Sequence, residues 1–350
     1  MSDLLADHTT LRVGGPVGRL LAHTDPAAWP DLVRAAATES AVPFTLGGGS
    51  NVLADDAGYP GPVIRVATRG ISIRPLGGGV VDVTAHAGEP LQALVDVVLN
   101  EGLSGIEYLA GIPGTVGAAP VQNTGAYGQQ ISDTLTHLTV YDWSRHQLGV
   151  FRPEACGFGY RTSIFKTHPG RWTILEATVR LTYSALAAPV AYRPLAQALG
   201  VPLGTRPPLK EAAHGVLADR RRRGLSLPES GPDARQAGSV FLNPAITAVQ
   251  AAVVQAAGGV VTVGDRGVLR TSAGWLLELV GYRPASPLTP GVSCSTRRTL
   301  TFTAHDGVTA ASFHAAVQKA ADDVFDTTGI RLHPEPVRPA PIRPLQRPYG

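Results

Sequence analysis

In the first half of the chain, apolar residues come in short runs or alternate with polar ones. Each run is bounded by Gly, Pro, Asp or Asn. Segments of this kind read as short strands, and the pattern predicts them over residues 43–46, 63–66, 80–85, 138–142, 147–151 and 173–183. One helix stands out among them. Glu89-Pro90 opens it, with proline tolerated in a first turn. Leu91, Leu94, Val95 and Val98 then form an i, i+3, i+4, i+7 stripe, and Gly102 suits the position just past its end. In the second half the period changes. Helical patterns cover 209–223, 245–257 and 310–327, and Phe313, Val317, Ala320 and Val324 share one face of the last. A further helical pattern over 270–280 is interrupted by Gly274. A strand over 299–303 precedes the last helix and another over 330–333 follows it. Residues 184–205 read as a connector and the proline-rich end as irregular.

Composition narrows the class. A chain of 350 residues is long enough for two separate cores. No apolar run is long enough to cross a bilayer, and the start lacks the basic and apolar segments of a secretory signal. The expectation is a cytoplasmic protein. Net charge is +3, and the lysines are Lys166, Lys210 and Lys319, so nearly all the basic residues are arginines. Arginine suits planar, bidentate anion recognition, although a GC-rich genome gives the same bias. No basic stripe interleaves with aromatics, which argues against a nucleic-acid partner and for a small anionic ligand. Cys156 and Cys294 match no CxxC spacing and read as two reduced thiols. The ten histidines show no HxH, HxxH or HExxH spacing, so no metal is expected.

Candidate chemistry starts at Gly47-Gly48-Gly49-Ser50-Asn51, directly after the strand over 43–46. Consecutive glycines allow close backbone approach and positive φ, and successive N–H groups can form a nest for phosphate. A glycine-rich hairpin turn accounts for the run equally well. It is not GxGxxG and no helix follows it, which disfavours a Rossmann domain. A second run, Gly77-Gly78-Gly79, sits between two strands and reads as a turn alone. The next dense segment runs Gly111-Ile112-Pro113-Gly114-Thr115-Val116-Gly117-Ala118 and continues through Asn123 to Gly125-Ala126-Tyr127-Gly128. Its small residues permit approach to a diphosphate, and a short helix from about Thr115 would add its N-terminal dipole. Two such segments in one half-chain point to a dinucleotide.

Four other features have plain alternatives. Tyr160-Arg161 with Lys166 suits a carboxylate or phosphate, but a surface strand with solvated cations explains it too. Ser239 has no nearby His or Asp and no GxSxG elbow, so a hydrolase triad is unsupported. The Arg220–Arg223 run stands at a helix end, where the dipole favours cations. Glu335 lies between two prolines.

The order of these motifs carries a resemblance. HTTLRVGGP, LGGGSNVL, GIEYLAGIPGTVGAAPVQNTGAYG, GYRTSIFK, RRRRGLSLPE, AGSVFLNP and LHPEPVR follow one another over most of residues 8–338. Together they resemble the UDP-N-acetylenolpyruvoylglucosamine reductase family, in its variant with a substrate-loop tyrosine. The resemblance implies an α+β fold. An FAD-binding domain of the vanillyl-alcohol-oxidase (PCMH) type is expected over 1–183, in two lobes. A connector with a substrate loop (184–205), a smaller α+β substrate-binding domain (206–335) and a tail (336–350) would follow.

It implies non-covalent FAD, held by Gly47, Gly48, Gly49, Ser50, Asn51, Gly111, Pro113, Gly114, Thr115, Gly117, Ala118, Gly125, Ala126 and Tyr127. NADPH would reduce the flavin, and the enolpyruvyl ether of UDP-N-acetylglucosamine would be reduced to UDP-N-acetylmuramate. In that reaction Arg161 stabilises the enolate-like state, Glu335 assists at the same carboxylate, and Ser239 donates the proton. Tyr160, Tyr192, Arg223 and Asn243 are the implied substrate contacts. No obligate protein partner is implied. Three positions depart from the family pattern: His8 in place of asparagine, Arg223 in place of lysine, and the segment Ser295-Thr296-Arg297-Arg298. An oxidase or dehydrogenase of the same fold acting on another substrate is the rival, with His86 or His137 as conceivable flavin tethers. A non-catalytic nucleotide-sugar binder is the other.

Overall fold

A computed structural model describes residues 3–37 and 42–339. Two compact units organise them, and neither is continuous in sequence. One takes residues 18–37, 42–48 and 60–222; the other takes 3–17, 49–59 and 223–339.

The first unit holds two sheets. In the smaller, strand Tyr59–Val66 lies between Val17–His23 and Phe44–Leu46, and pairs in parallel with the latter. The larger is antiparallel, in the order Gln147–Phe151, Leu135–Asp142, Trp172–Tyr183, Val80–His86, Ile71–Gly77. Leu103–Ser104 pairs with the end of Trp172–Tyr183. Helix Leu91–Asn100 buries the expected stripe of Leu91, Leu94, Val95 and Val98. These join Ile64, Val66, Val81, Val83 and Val179 in one core, the arrangement that the period switch from two to 3.6 required. Pro90 stands at the cap of this helix, just before its first turn, and Gly102 takes φ +69° past its end.

In the second unit a four-stranded antiparallel sheet runs Gln236–Ser239, Arg298–Ala304, Val292–Ser295, Pro287–Thr289. Phe302 on the second of these meets Phe241 and Phe313 at ring separations of 6.0 and 6.4 Å. Phe313 belongs to the long helix Ala310–Thr328, which buries the four residues expected of it. The early segments belong here for a local reason. The Asp56 carboxylate accepts from the N–H groups of Ala310 and Ala311 at 2.7 and 2.9 Å. It thereby satisfies two of the open donors at the start of that helix and complements its dipole. Asp55 pairs with Arg338 and His314, and Leu11, Val13 and Leu53 enter the core.

Several expectations are corrected. The connector contains a helix, Arg193–Leu199, with Pro194 in its first turn and Gly200 at φ +66° closing it. The pattern over 270–280 starts its helix late, as Ala273–Leu279, because Ser272 caps it and Leu269–Thr271 pairs as a strand with Val261–Val263. The helix over 245–257 likewise begins at Ala248, where Thr247 and Gln250 form a capping box. Residues 330–333 form no strand. They are followed by Pro334, which has no N–H to extend a ladder, and pairing there is limited to an isolated bridge between Pro334 and Phe241 and a bond from Leu242 N–H to His333 O. No helix starts at Thr115; the chain turns there and enters a short 3-10 segment, Ala119–Gln122. Of the expected tail, residues 340–350 lie outside the described residues.

Candidate active site

Gly47 and Gly48 meet the loop over residues 114–118, far away in sequence. A Cβ on Gly47 would stand 2.6 Å from Thr115 Oγ1 and 3.3 Å from Ala118 Cβ, and one on Gly48 would stand 3.4 Å from Gly114 Cα. Gly117 has the same constraint against Ala87, at 2.4 Å. Gly49 adopts φ +63°, and a Cβ there would lie 2.1 Å from the His8 carbonyl oxygen. The absence of a side chain is therefore a packing requirement at Gly47, Gly49 and Gly117, whereas Gly48 is in ordinary contact with its neighbours. Thr115 Oγ1 and Thr9 Oγ1 are buried and have no hydrogen-bond partner among the described residues. A buried hydroxyl left unpaired costs about 1–3 kcal/mol, and a bound ligand offering oxygens or N–H groups removes that cost.

Further along, Gly125–Ala126 and Gln129–Gln130 form a hairpin whose two turn residues, Tyr127 and Gly128, take φ +53° and +88°. Positive φ at both centres is the primed turn that suits a tight hairpin. It leaves Tyr127 buried, with its hydroxyl donating to Asp219 at 3.0 Å. Its ring meets Tyr192 edge-on at 5.8 Å, so an expected cofactor residue and the expected substrate-loop tyrosine are in contact. Tyr160 and Arg161 are the two central residues of another tight turn, closed by reciprocal bonds between Gly159 and Thr162. This replaces the surface-strand alternative. Arg161 takes φ +51° and donates from Nη2 to the Gly125 carbonyl at 2.9 Å, while Lys166 Nζ donates to the Arg161 carbonyl. A non-glycine residue held at positive φ marks local strain. Gly111, at φ +77°, packs against Arg220, and its N–H donates to Gln92.

In the second unit, backbone pairing assembles Ser239, Glu335 and Asn51. Glu335 N–H donates to Val240 O at 2.9 Å, and Leu242 N–H to His333 O at 3.0 Å. Two residues further, Val337 N–H donates to Asn51 O and its carbonyl accepts from Leu53 N–H. The PEPV segment is thus clamped between the end of the Ser239 strand and the loop that carries Ser50 and Asn51. Ser239 ends its strand opposite Thr301. Its Oγ accepts from Arg298 Nη1 at 3.2 Å. Arg298 belongs to the departing segment 295–298, and nothing local in the sequence marks it as a partner of Ser239. Asn243 uses its side-chain oxygen to accept from Ala273 N–H and its backbone oxygen to accept from Arg270. Arg223 follows the helix Leu209–Arg222 and is half-buried. Pro113 is exposed at the loop surface.

Other titratable groups serve the fold. Cys156 and Cys294 are free and buried, and burial pushes their thiols up to about 12 and about 11, which keeps them protonated and unreactive. His86 faces Glu176, and His137 hydrogen-bonds with Thr136 and Thr178.

Residues 19–145 match the family model described as an FAD binding domain. Residues 231–338 match the model for the C-terminal domain of UDP-N-acetylenolpyruvoylglucosamine reductase. A protein of that name from Thermobifida fusca is 40% identical, over 95% of this chain and 96% of its own length. Another from Saccharopolyspora erythraea is 37% identical, over 95% and 93%. The chain belongs to the UDP-N-acetylenolpyruvoylglucosamine reductase family. A crystal structure of the family's enzyme from Thermus caldophilus superposes with a TM-score of 0.65 at 25% identity, covering 97% of this chain and 98% of the other. The protein is accordingly a flavin-dependent oxidoreductase with an α+β fold, in which an FAD-binding domain of the PCMH type precedes the family's C-terminal domain. The glycine cradle fits FAD. Its backbone is bare where a diphosphate needs close approach, and the orphaned Thr115 hydroxyl sits against it. Among the described residues no helix is long and apolar enough to cross a membrane.

Proposed function

We propose that this chain reduces UDP-N-acetyl-3-O-enolpyruvylglucosamine to UDP-N-acetylmuramate, a step of peptidoglycan precursor synthesis, with NADPH as the ultimate hydride donor. The observation that carries the reading is the clamp around Glu335, because it groups a hydroxyl, a carboxyl and a flavin-loop residue in a chain of this family. Reduced FAD, when bound, supplies the hydride to the outer vinyl carbon. Gly47, Gly48, Gly49, Ser50, Asn51, Gly111, Pro113, Gly114, Thr115, Gly117, Ala118, Gly125, Ala126 and Tyr127 hold and orient it. Negative charge then develops on the substrate's carboxylate side, where Arg161 supplies fixed positive charge. Glu335 assists there as a protonated acid or through water, since an ionised carboxylate would repel the developing charge. Ser239 gives its hydroxyl proton to the carbanionic carbon.

Tyr160 shapes the pocket, and Tyr192, Arg223 and Asn243 bind the nucleotide sugar. Arg223 can take a phosphate bidentately where lysine acts as a point charge. A water-soluble nucleotide substrate supports a cytoplasmic location. The test is anaerobic. Enzyme reduced by NADPH is mixed with the enolpyruvyl nucleotide, and flavin reoxidation is followed. Fast reoxidation that depends on that nucleotide is expected. Flavin that reoxidises no faster with the nucleotide than without it overturns the proposal, and rapid reoxidation in a parallel run with air and no nucleotide favours an oxidase.

A further inference from the structure

We propose that Arg298 is a positioning residue for the proton-donating hydroxyl of Ser239. The inference rests on the reading of Ser239 as the proton donor. Serine is a weak acid, and as donor it must pass through a state in which its oxygen carries negative charge. The new C–H bond forms at the carbanionic carbon, the O–H bond of Ser239 breaks, and the bonding pair stays on Oγ until water returns a proton. A group that stabilises that alkoxide-like oxygen more than the neutral hydroxyl speeds the step. The Arg298 guanidinium does this by geometry. Its Nη1 donates to Ser239 Oγ and to Thr301 Oγ1, each at 3.2 Å. Occupying an oxygen lone pair also directs the hydroxyl proton away from the arginine, toward whatever lies on the open side of the strand end.

The position is built rather than accidental. Arg298 opens strand Arg298–Ala304, immediately after a two-residue turn at Thr296 and Arg297. Asp233 holds that turn, accepting from Thr296 N–H at 2.9 Å and from Thr296 Oγ1 at 2.7 Å. Ser295 Oγ accepts from Arg297 N–H. Thr301, the second acceptor of the fork, is fully buried and lies opposite Ser239 in the ladder. The turn that leads into the arginine is therefore held by Asp233, and its head is held by a buried threonine.

The test is a double-mutant cycle on substrate-driven reoxidation of the reduced flavin, measured in single turnover. Arg298→Met should slow reoxidation on the order of 10- to 100-fold and raise its solvent deuterium isotope effect. Flavin reduction by NADPH should be unchanged. Arg298→Lys should recover part of the rate, since it keeps the charge without the fork, and it is the variant to read if the methionine form does not retain flavin. In a Ser239→Ala background Arg298→Met should cost nothing further. An equal loss in that background would overturn the proposal, because Arg298 would then act on substrate directly. So would an unchanged isotope effect in the single variants. If Ser239→Ala alone leaves reoxidation at its original rate, the donor assignment itself falls, and the role of Arg298 falls with it. That outcome is distinct from failure of Arg298 alone.

Discussion

Gly47-Gly48-Gly49 and Gly77-Gly78-Gly79 are the same tripeptide, each follows or ends a strand, and they do different things. All three residues of the second run take positive φ, at +89°, +59° and +78°. A Cβ on any of them would meet nothing within 4 Å among the described residues. That run is a turn between Ile71–Gly77 and Val80–His86, and glycine is there for its backbone freedom. In the first run only Gly49 has positive φ, whereas side chains at 47 and 49 would collide with Thr115 and with the His8 carbonyl. Glycine is there because other parts of the chain, a side chain at 47 and backbone at 49, occupy the space. A free turn and a run hemmed in by other segments can thus be written identically, and only the surroundings tell them apart.

Substitutions should break or sharpen this contrast in a graded order. Gly49→Ala combines a clash against backbone with a disfavoured φ. It is expected to destabilise by about 3 kcal/mol or more and to yield colourless protein; retained flavin at wild-type stability would remove the distinction between the runs. Gly47→Ala should be milder, because only a side-chain oxygen and a methyl group oppose it. A loss of about 1–3 kcal/mol is expected, with FAD affinity down on the order of 10- to 100-fold by titration of the apoprotein.

Thr115→Val separates cradle from scaffold. Apoprotein stability should hold or rise by about 1 kcal/mol, since an unpaired buried hydroxyl is removed, while FAD affinity falls; affinity that does not move would detach Thr115 from the cofactor. Gly78→Ala should cost about 1 kcal/mol in urea unfolding and leave flavin binding as it was.

The smallest effect concerns pH at the hairpin carrying the second run. Asp82 accepts from Arg180 at 2.8 and 3.1 Å and from Arg74 at 2.9 Å. The hydrogen-bonded, positively charged Arg180 holds its carboxyl below the ordinary value against the opposing effect of burial. A depressed folded pKa means the contribution is present above pH about 4 and is lost as pH falls through the folded value. Asp82→Asn should flatten that part of the acid-side stability curve without touching flavin retention.

Much of the fold was legible because its causes are local. Leu91, Leu94, Val95 and Val98 had to share a face, and the strands over 147–151 and 173–183 emerged close to their expected bounds. The errors fell where a non-local partner changed a local preference. Leu269–Thr271 became a strand because Val261–Val263 was there to pair with it. The helix in the connector is a different case, since its signals, Pro194 in the first turn and Gly200 at the end, are local. For the site, motif order identified the loops and Ser239, Arg161 and Glu335 as residues of interest. It could not find Asp219 beneath Tyr127 or Arg298 beside Ser239, since both arise from packing between distant segments.

By itself, then, the sequence determined the short elements, the family pattern and the places where bare backbone was available. These depend on residue type and spacing over a few positions. The tertiary structure decided which glycine run is hemmed in by distant chain, which early segment caps the last helix through Asp56, and which arginine sits on the serine hydroxyl. Those outcomes depend on excluded volume and hydrogen-bond partners contributed by chain far away in sequence, information that no single segment carries.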